Sequence, residues 1–353
     1  MKKTFWSRIG AIAVALILTL SFAACGSKEA TPAGDDSAAT QDPITWSYAS
    51  NDAPGALRYD IVETKFAEIL NEKTNGVITL EIYPSGSLSK PGSVLDDIRN
   101  GTIDAGQDSY SRYAGQFPYF ELFIMPGFYF EDYDAFTDTI AEYVKEFPDA
   151  GTEIYKPIII SDSGEFGLAS KTPITALADV KGKSIRNTPS FIPVFDKLGA
   201  SSVDVSSGEL YEALRLNTID AVNTNVSAVA TFKLFEVCDS FTIIPIERAD
   251  FSLFLSQKSY DALTPELQKG VDEAIAEARG LTQNYVELAF ADAEKVAKEG
   301  NPNFVFSTLG DAPTKEMSEI AMPLIEAKAK DMDSKGLKGT DAMNWILEHQ
   351  SKK

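Results

Sequence analysis

Histidine and cysteine are almost missing from this chain. Its 353 residues include one histidine, His349, and two cysteines, Cys25 and Cys238. An ordinary His/Cys zinc site cannot be assembled from so few ligands. A Ser-His-Asp or Cys-His catalytic centre would have to recruit His349, close to the C-terminus. Positive charge is scarce as well: 32 Lys and Arg stand against 52 Asp and Glu, a formal net charge of -20. A field of that sign repels phosphate backbones and argues against nucleic acid as a partner. No phosphate-binding or dinucleotide-type glycine pattern opens a helix, since Gly76, Gly86, Gly101, Gly151 and Gly182 are scattered turn glycines. The segment Asp331-Met332-Asp333-Ser334-Lys335-Gly336 lacks the later glutamate of a calcium loop and reads as a polar turn. The carboxylate pairs Asp35-Asp36, Asp96-Asp97 and Glu131-Asp132 are chance neighbours in so acidic a chain. No cofactor, no metal and no catalytic residue is expected.

What is present begins with an address. Lys2, Lys3 and Arg8 precede an uncharged run, Ile9 to Ala24, that is somewhat short for a membrane span. Residues 1–24 read as a secretory signal peptide. The sequence Phe22-Ala23-Ala24-Cys25-Gly26 resembles the bacterial lipoprotein signal, with Phe where Leu is usual. That resemblance implies cleavage before Cys25 and its lipidation, and it is preferred over a plain secreted protein or an uncleaved anchor. Residues 25–42 are small, polar and acidic, as in a flexible tether. Lipidation would leave Cys238 without an intramolecular partner, and its apolar surroundings make it a small buried hydrophobe. Loss of the leader removes three positive charges, leaving 29 basic against 52 acidic side chains, a net -23.

From Ile44 onward, short β-type runs alternate with helical ones. Strands are expected at Ile44–Tyr48, Val77–Tyr83, Gly101–Ala105, Pro157–Ser161, Ser184–Arg186, Val203–Val205 and Ile219–Val222. Helices are expected at Leu57–Leu70, Val94–Arg99, Phe191–Leu198 and Gly208–Leu216. The alternation predicts an α/β architecture with largely parallel sheets. Thr264-Pro265 is a good helix start, and apolar residues recur from Val271 to Val296. One helix over Pro265–Glu299 would span ~50 Å. That reading is preferred over two packed helices, with Gly280 the place for a bend.

One segment points to recognition. Asp179 to Arg186 is a polar turn followed by a strand that ends in Arg186, before Asn187-Thr188-Pro189-Ser190 and a helix. Ligands of open α/β sheets bind outside the carboxyl ends of strands. A planar guanidinium there suits a carboxylate. From this segment alone, a surface arginine paired with one of many acids would be the simpler reading.

Taken in order, the motifs resemble those of TRAP-transporter solute-binding proteins of the DctP type. Leu177 to Arg186 is similar to their "DLKGxKIR" segment, Leu198-Gly199-Ala200 to "LGA", and Glu209 to Leu214 to "EVYxAL". Ile219-Asp220-Ala221 is similar to the start of "VDGxEN". Tyr83 to Leu88 resembles "YPSGQLG", Asn100 to Asp104 "xGTIDM", Met125 to Phe128 "LPFxF", and Leu263 to Gln268 "LSPEDQ". The matches run from about Ile44 to Gly336.

The resemblance implies a two-lobe periplasmic-binding-protein-like (Venus flytrap) fold, with mixed sheets, hinge strands and a long lobe-bridging helix. Residues 43–163 and 250–290 are expected to form lobe I, and residues 164–249 and 291–345 lobe II. It implies a binding protein, not an enzyme: an extracytoplasmic receptor, tethered by Cys25, that delivers a small organic acid to the small and large membrane subunits of a sodium-coupled transporter. A monomer is expected. A sensor that presents ligand to a membrane receptor kinase is the alternative, and a lipoprotein hydrolase a distant third. The family's clamping arginine falls on Arg186. Phe166 stands where many members carry a second arginine. Thr224, flanked by Asn223 and Asn225, takes the place of the motif's asparagine, and Ser207 that of a phenylalanine over the ligand. Gln107, Asp108, Ser109 and Tyr110 should form the opposite wall, with Ala49-Ser50-Asn51 adding contacts. Phe166 and Tyr110 together would favour an acid with an apolar or aromatic portion.

Overall fold

The structure is a computed structural model that describes residues 42–351, Ala114 excepted. The expected leader 1–24, Cys25 and nearly all of the 25–42 tether lie outside the described residues. Eleven strands are described: β1 (Ile44–Ala49), β2 (Ile78–Tyr83), β3 (Ala105–Asp108), β4 (Tyr155–Asp162), β5 (Phe166–Ser170), β6 (Ser184–Arg186), β7 (Ser201–Ser202), β8 (Ala221–Asn225), β9 (Ser240–Ile243), β10 (Asp250–Ser256) and β11 (Val305–Thr308). They form a five-stranded sheet, β2-β1-β3-β10-β4, and a six-stranded sheet, β11-β9-β5-β8-β6-β7.

Both sheets are mixed, which corrects the expectation of largely parallel ones. In the first, β1 runs parallel to β2 and β3, and β10 is antiparallel to both β3 and β4. In the second, β5 is antiparallel to β8 and β9, while the other pairings are parallel. Each contrary strand is the one that arrives from the other sheet: β5 directly follows β4, and β10 follows β9. Alternation of apolar residues reports which face is buried and carries no information on strand direction.

Local chemistry explains the main elements. On β2, Ile78 and Leu80 are buried while Thr79 and Glu81 are exposed, the period-two pattern of a half-buried strand. Beside it, the helix Thr64–Lys73 buries Phe66 and Leu70. The helix Pro265–Gly300 is continuous over 36 residues, capped by Thr264, whose hydroxyl accepts the Leu267 N–H. Gly280 lies inside it without interrupting it. The buried stripe is mostly small: Ala274, Ala278, Thr282, Ala289, Ala293 and Ala297. Small side chains let the helix lie close to both halves. Near its start, a Cβ on Gly270 would come 2.5 Å from the Lys73 carbonyl oxygen; at its end, one on Gly300 would come 2.1 Å from the Phe235 ring.

The helix Asp311–Ser334 makes a second link. Its Met317 and Ala321 join a cluster with Ile185, Phe191 and Phe195. Its Ile325 and Met332 join another with Phe123, Phe136 and Tyr143. Ala342 and Ile346, of the last helix Gly339–His349, belong to that same aromatic cluster. Residues 291–345 therefore do not pack solely with the second sheet, as the sequence reading expected. The aromatic rings of Phe117 to Phe147 draw the C-terminal helix to the first sheet. Cys238 is free and buried, as expected, with burial pushing its thiol up to about 12.

Polar ties join the halves. Arg248, between β9 and β10, pairs with the fully buried Asp162 at the end of β4 and donates to the Phe130 carbonyl at 2.9 Å. Arg58 forms a forked pair with Asp52, at 2.6 and 2.8 Å, and lies over the rings of Phe251 and Tyr285. Tyr285 bonds Ser227 at 3.1 Å, beside β8. Next to Asp52, Glu63 ends the wide π-helical turn Tyr59–Glu63. Glu63 is 1% exposed, and burial, then the charge of Asp52, raise its carboxyl to about 8.

Two predictions follow from this packing. Gly270→Ala should destabilise the chain by about 1–3 kcal/mol, because the new methyl meets backbone. Gly280→Ala, exposed and in open space, should stabilise it by up to about 1 kcal/mol. Urea unfolding of both variants checks the opposite signs. The native state keeps the Glu63 proton where the unfolded chain has lost it, so stability should fall as pH rises from about 5 to 8. Glu63→Gln should flatten that decline between pH 6 and 8; an unchanged slope would place its origin elsewhere.

Candidate functional site

Topology brings two strand ends together. β4 ends at Asp162 and β5 begins at Phe166, so only Ser163, Gly164 and Glu165 separate the sheets at this point. Such a connection reaches ~14 Å at most. Gly164 supplies the left-handed turn, with φ +93°, and the Ser163 N–H bonds the Ala249 carbonyl of the second crossing at 3.0 Å. Because β5 and β10 run against their neighbours, the crossings join the carboxyl ends of the parallel strands of both sheets. Ser50–Asn51 and Ser109 follow β1 and β3 on one side, while Arg186 and Asn225 end β6 and β8 on the other.

Arg186 is half-buried in this cleft. Its Nε donates to the Val205 carbonyl at 3.3 Å and its Nη1 to the Asn223 carbonyl at 3.2 Å. Those two bonds fix the plane of the guanidinium and leave three of its five N–H groups without an acceptor among the described residues. It forms no ion pair with a described carboxylate. Burial, then the positive charge of Arg112, lower its pKa, while Asp204 and Glu247 act in the opposite sense. Glu247 is 2% exposed, and burial raises its carboxyl well above the usual range. It accepts the Asn223 side-chain amide at 2.6 Å, and the Asn223 Oδ1 accepts the Thr188 hydroxyl at 3.2 Å. Asn223 thus serves as a buried brace, with its carbonyl turned to Arg186.

The other expected residues fall into two groups. Near the opening, Phe166 begins β5 opposite Asn225, and Thr224 pairs with Gly167. Asn225 accepts the Ser227 hydroxyl and the Ala228 N–H, which starts the next short helix. Ser207 is half-buried at the head of a 3-10 turn. Across from them, Asn51 is held by Gln107 through bonds of 3.2 and 2.9 Å. Ser50, by contrast, is fully buried and closes a turn with Asp52.

Asp108, Ser109 and Tyr110 are supports. The Asp108 carboxylate is fully buried and accepts from the Gly92, Ser109 and Tyr113 groups. It also holds Arg112, 3.3 Å from its Nε. The Ser109 hydroxyl donates to Asp250, which also accepts the Tyr110 N–H at 2.9 Å. The Tyr110 ring does not form a wall of the cleft: it is 3% exposed, packed against Phe117, Phe120 and Phe254. This corrects the expectation that its ring would help form the cleft wall opposite Arg186.

Sequence reading missed Arg112, the second cation facing Arg186. Its signal was present three residues beyond Ser109, but an exposed arginine in an acidic chain carries no mark of its role. Glu247 and Asp250, the buried acids that position Asn223 and the Ser109 turn, had no signal. A cavity of about 810 Å³ lies outside this cleft, against β4 and the helix Tyr133–Glu146. What the cleft can do is hold an anion: it offers oriented N–H donors and two positive charges, with no nucleophile–base pair among the described residues.

The chain matches the family model of the bacterial extracellular solute-binding proteins, family 7 (DctP), over residues 48–331. It is 26% identical over 296 residues to the 2,3-diketo-L-gulonate-binding periplasmic protein YiaO of Escherichia coli (strain K12), covering 82% of this chain and 88% of that one. The C4-dicarboxylate-binding protein DctB of Bacillus subtilis (strain 168) is 24% identical over 266 residues, with coverage of 72% and 73%. Among solved structures, a TRAP solute-binding protein from Rhodoferax ferrireducens T118, with copurified benzoate, superposes with a TM-score of 0.77 at 22% identity, covering 87% of this chain and 98% of that one. A marine metagenome TRAP solute-binding protein specific for aromatic acid ligands, in complex with 3-hydroxybenzoate, has a TM-score of 0.77 at 22% identity, covering 88% and 98%. These folds agree with the two-sheet architecture described above. The chain belongs to the family 7 bacterial extracellular solute-binding proteins, the DctP-type solute receptors of TRAP transporters, and is a binding protein, not an enzyme.

Proposed function

We propose that the cleft binds a small organic acid through its carboxylate, clamped by Arg186. The observation that carries this reading is the half-buried guanidinium with three free N–H groups and no carboxylate partner among the described residues. Desolvating an unpaired charge is costly, so a site of this kind is satisfied by an incoming anion. Arg112 adds a second positive charge from the opposite wall, oriented by Asp108.

The rest of the ligand meets a less polar surface. Phe166 replaces a second arginine at the start of β5, which disfavours a second carboxylate and favours an aromatic or branched body. The two solved relatives with aromatic acids make the same suggestion by analogy. In the cell, the receptor is tethered outside the cytoplasm by lipidated Cys25, acts as a monomer, and passes its acid to the small and large membrane subunits of a sodium-coupled transporter. The carboxyl-end loops that surround the cleft would close over the ligand as the lobes rotate about the two crossings.

Charge-assisted hydrogen bonds contribute ~1.5–3 kcal/mol each. Arg186→Ala should therefore weaken acid binding at least tenfold by calorimetric titration, and Arg186→Lys, which keeps charge but loses the fork, should fall between. Wild-type affinity in Arg186→Ala would remove the clamp. In a panel of acids, monocarboxylates with aromatic or branched bodies should raise the melting temperature more than small diacids. A preference for C4 diacids would contradict the role given to Phe166.

A further inference from the structure

The 810 Å³ pocket lies in the half of the molecule built on the first sheet, away from Arg186. Its volume is within the ~300–1,000 Å³ range of small-molecule sites. The helix Tyr133–Glu146 contributes Thr137, Ala141, Val144 and Lys145, which fall on one stripe at helical spacing. Opposite them, Pro157 to Ile160 come from β4, which is an edge strand. Proline is tolerated on such an edge because no ladder donor is needed there. The register of β4 against β10 shifts at this place, between Leu253 and Phe254. Bulges are common at sheet edges beside sites. Phe120 and Phe147, both buried, complete the apolar wall.

Two of the charged groups around this pocket have protein partners. Arg279 pairs with both Asp134 and Asp138. Asp149 accepts the Tyr119 and Phe120 N–H groups, each at 2.9 Å. Lys145 and Glu153 are both exposed, so water solvates their charges, and they form no ion pair with each other. The interior therefore offers no unpaired charge, in contrast to the cleft at Arg186.

We propose that this pocket is a second ligand site, one that takes an uncharged apolar organic molecule with an aromatic or aliphatic body. Burial against Phe147, Val144 and the isoleucines of β4 drives binding, and an ionised group would be left without a partner. The site is independent of the acid clamp.

Fluorescence titration of the mature protein with N-phenyl-1-naphthylamine, a neutral apolar probe, tests it. One equivalent should bind. Ala141→Trp, which fills the pocket from its helix wall, should weaken binding at least tenfold, while Arg186→Ala should leave it unchanged. Ala150→Trp, at an exposed lining position, gives a second variant should Ala141→Trp fail to fold by circular dichroism. The anionic probe 1-anilinonaphthalene-8-sulfonate should bind more weakly than the neutral one. Absence of binding, binding kept in both tryptophan variants, or binding lost in Arg186→Ala would overturn the assignment. Tighter binding of the anionic probe would overturn its chemistry.

Discussion

The double crossing between the sheets is the constraint on which the molecule depends. Three residues, Ser163 to Glu165, take the chain from β4 to β5, and the return segment before β10 bonds to them. Each crossing delivers one strand that runs against its neighbours. The result is that the carboxyl ends of both sheets, where side chains and loops are free to meet a ligand, open toward each other. Arg248 and the buried Asp162 pair at this junction. Burial raises Asp162 to about 6 despite the neighbouring arginine, so the pair is held in a poorly solvated place. A buried pair of this kind serves geometry more than net stability. Two helices span the junction from outside: Pro265–Gly300, with its small-residue stripe, and Asp311–Ser334, whose ends lie in different clusters.

Within that frame, a chain of polar contacts connects the two halves of the cleft. Asp52 follows the Ser50–Asn51 loop and forks to Arg58; Arg58 stacks with Tyr285; Tyr285 bonds Ser227; Ser227 bonds Asn225 at the end of β8. The loop on one wall is thus connected with the strand on the other through the long helix. The electrostatics of the cleft run against the rest of the molecule. Outside it, carboxylates greatly outnumber cations. At physiological salt the Debye length is ~8 Å, so exposed acids are screened while a half-buried guanidinium is screened much less. On the proposed reading, an acidic protein binds an acid because the local balance at Arg186 and Arg112 decides the outcome.

Much of this was legible in the residues. Val94–Arg99 and Ser184–Arg186 form where their patterns place them, and the Thr264-Pro265 cap begins one unbroken helix. Other strands shifted. The strand expected at Gly101–Ala105 forms at Ala105–Asp108, because Gly101 adopts φ +71° in the turn that ends the preceding helix. The observed strand, Ala-Gly-Gln-Asp, has no β-branched residue and is held by pairing on both sides and by burial. Strand direction was invisible, since periodicity is the same in either sense. At the site, Arg186 could be read because a strand, a polar turn and a guanidinium coincide. Tyr110 could not: whether a ring faces a cleft or a core depends on Phe117, Phe120 and Phe254, brought to it by tertiary folding. The buried acids Glu247 and Asp250 were equally hidden, because nothing local distinguishes them from the many exposed ones.

The central claim is that an unpaired guanidinium selects the ligand. Mass spectrometry of the small molecule released on denaturing the purified protein tests it most directly. The account predicts a compound with a single carboxylate and an aromatic or branched body. Release of a ligand that carries no acid group, such as a neutral sugar or an amine, would contradict it.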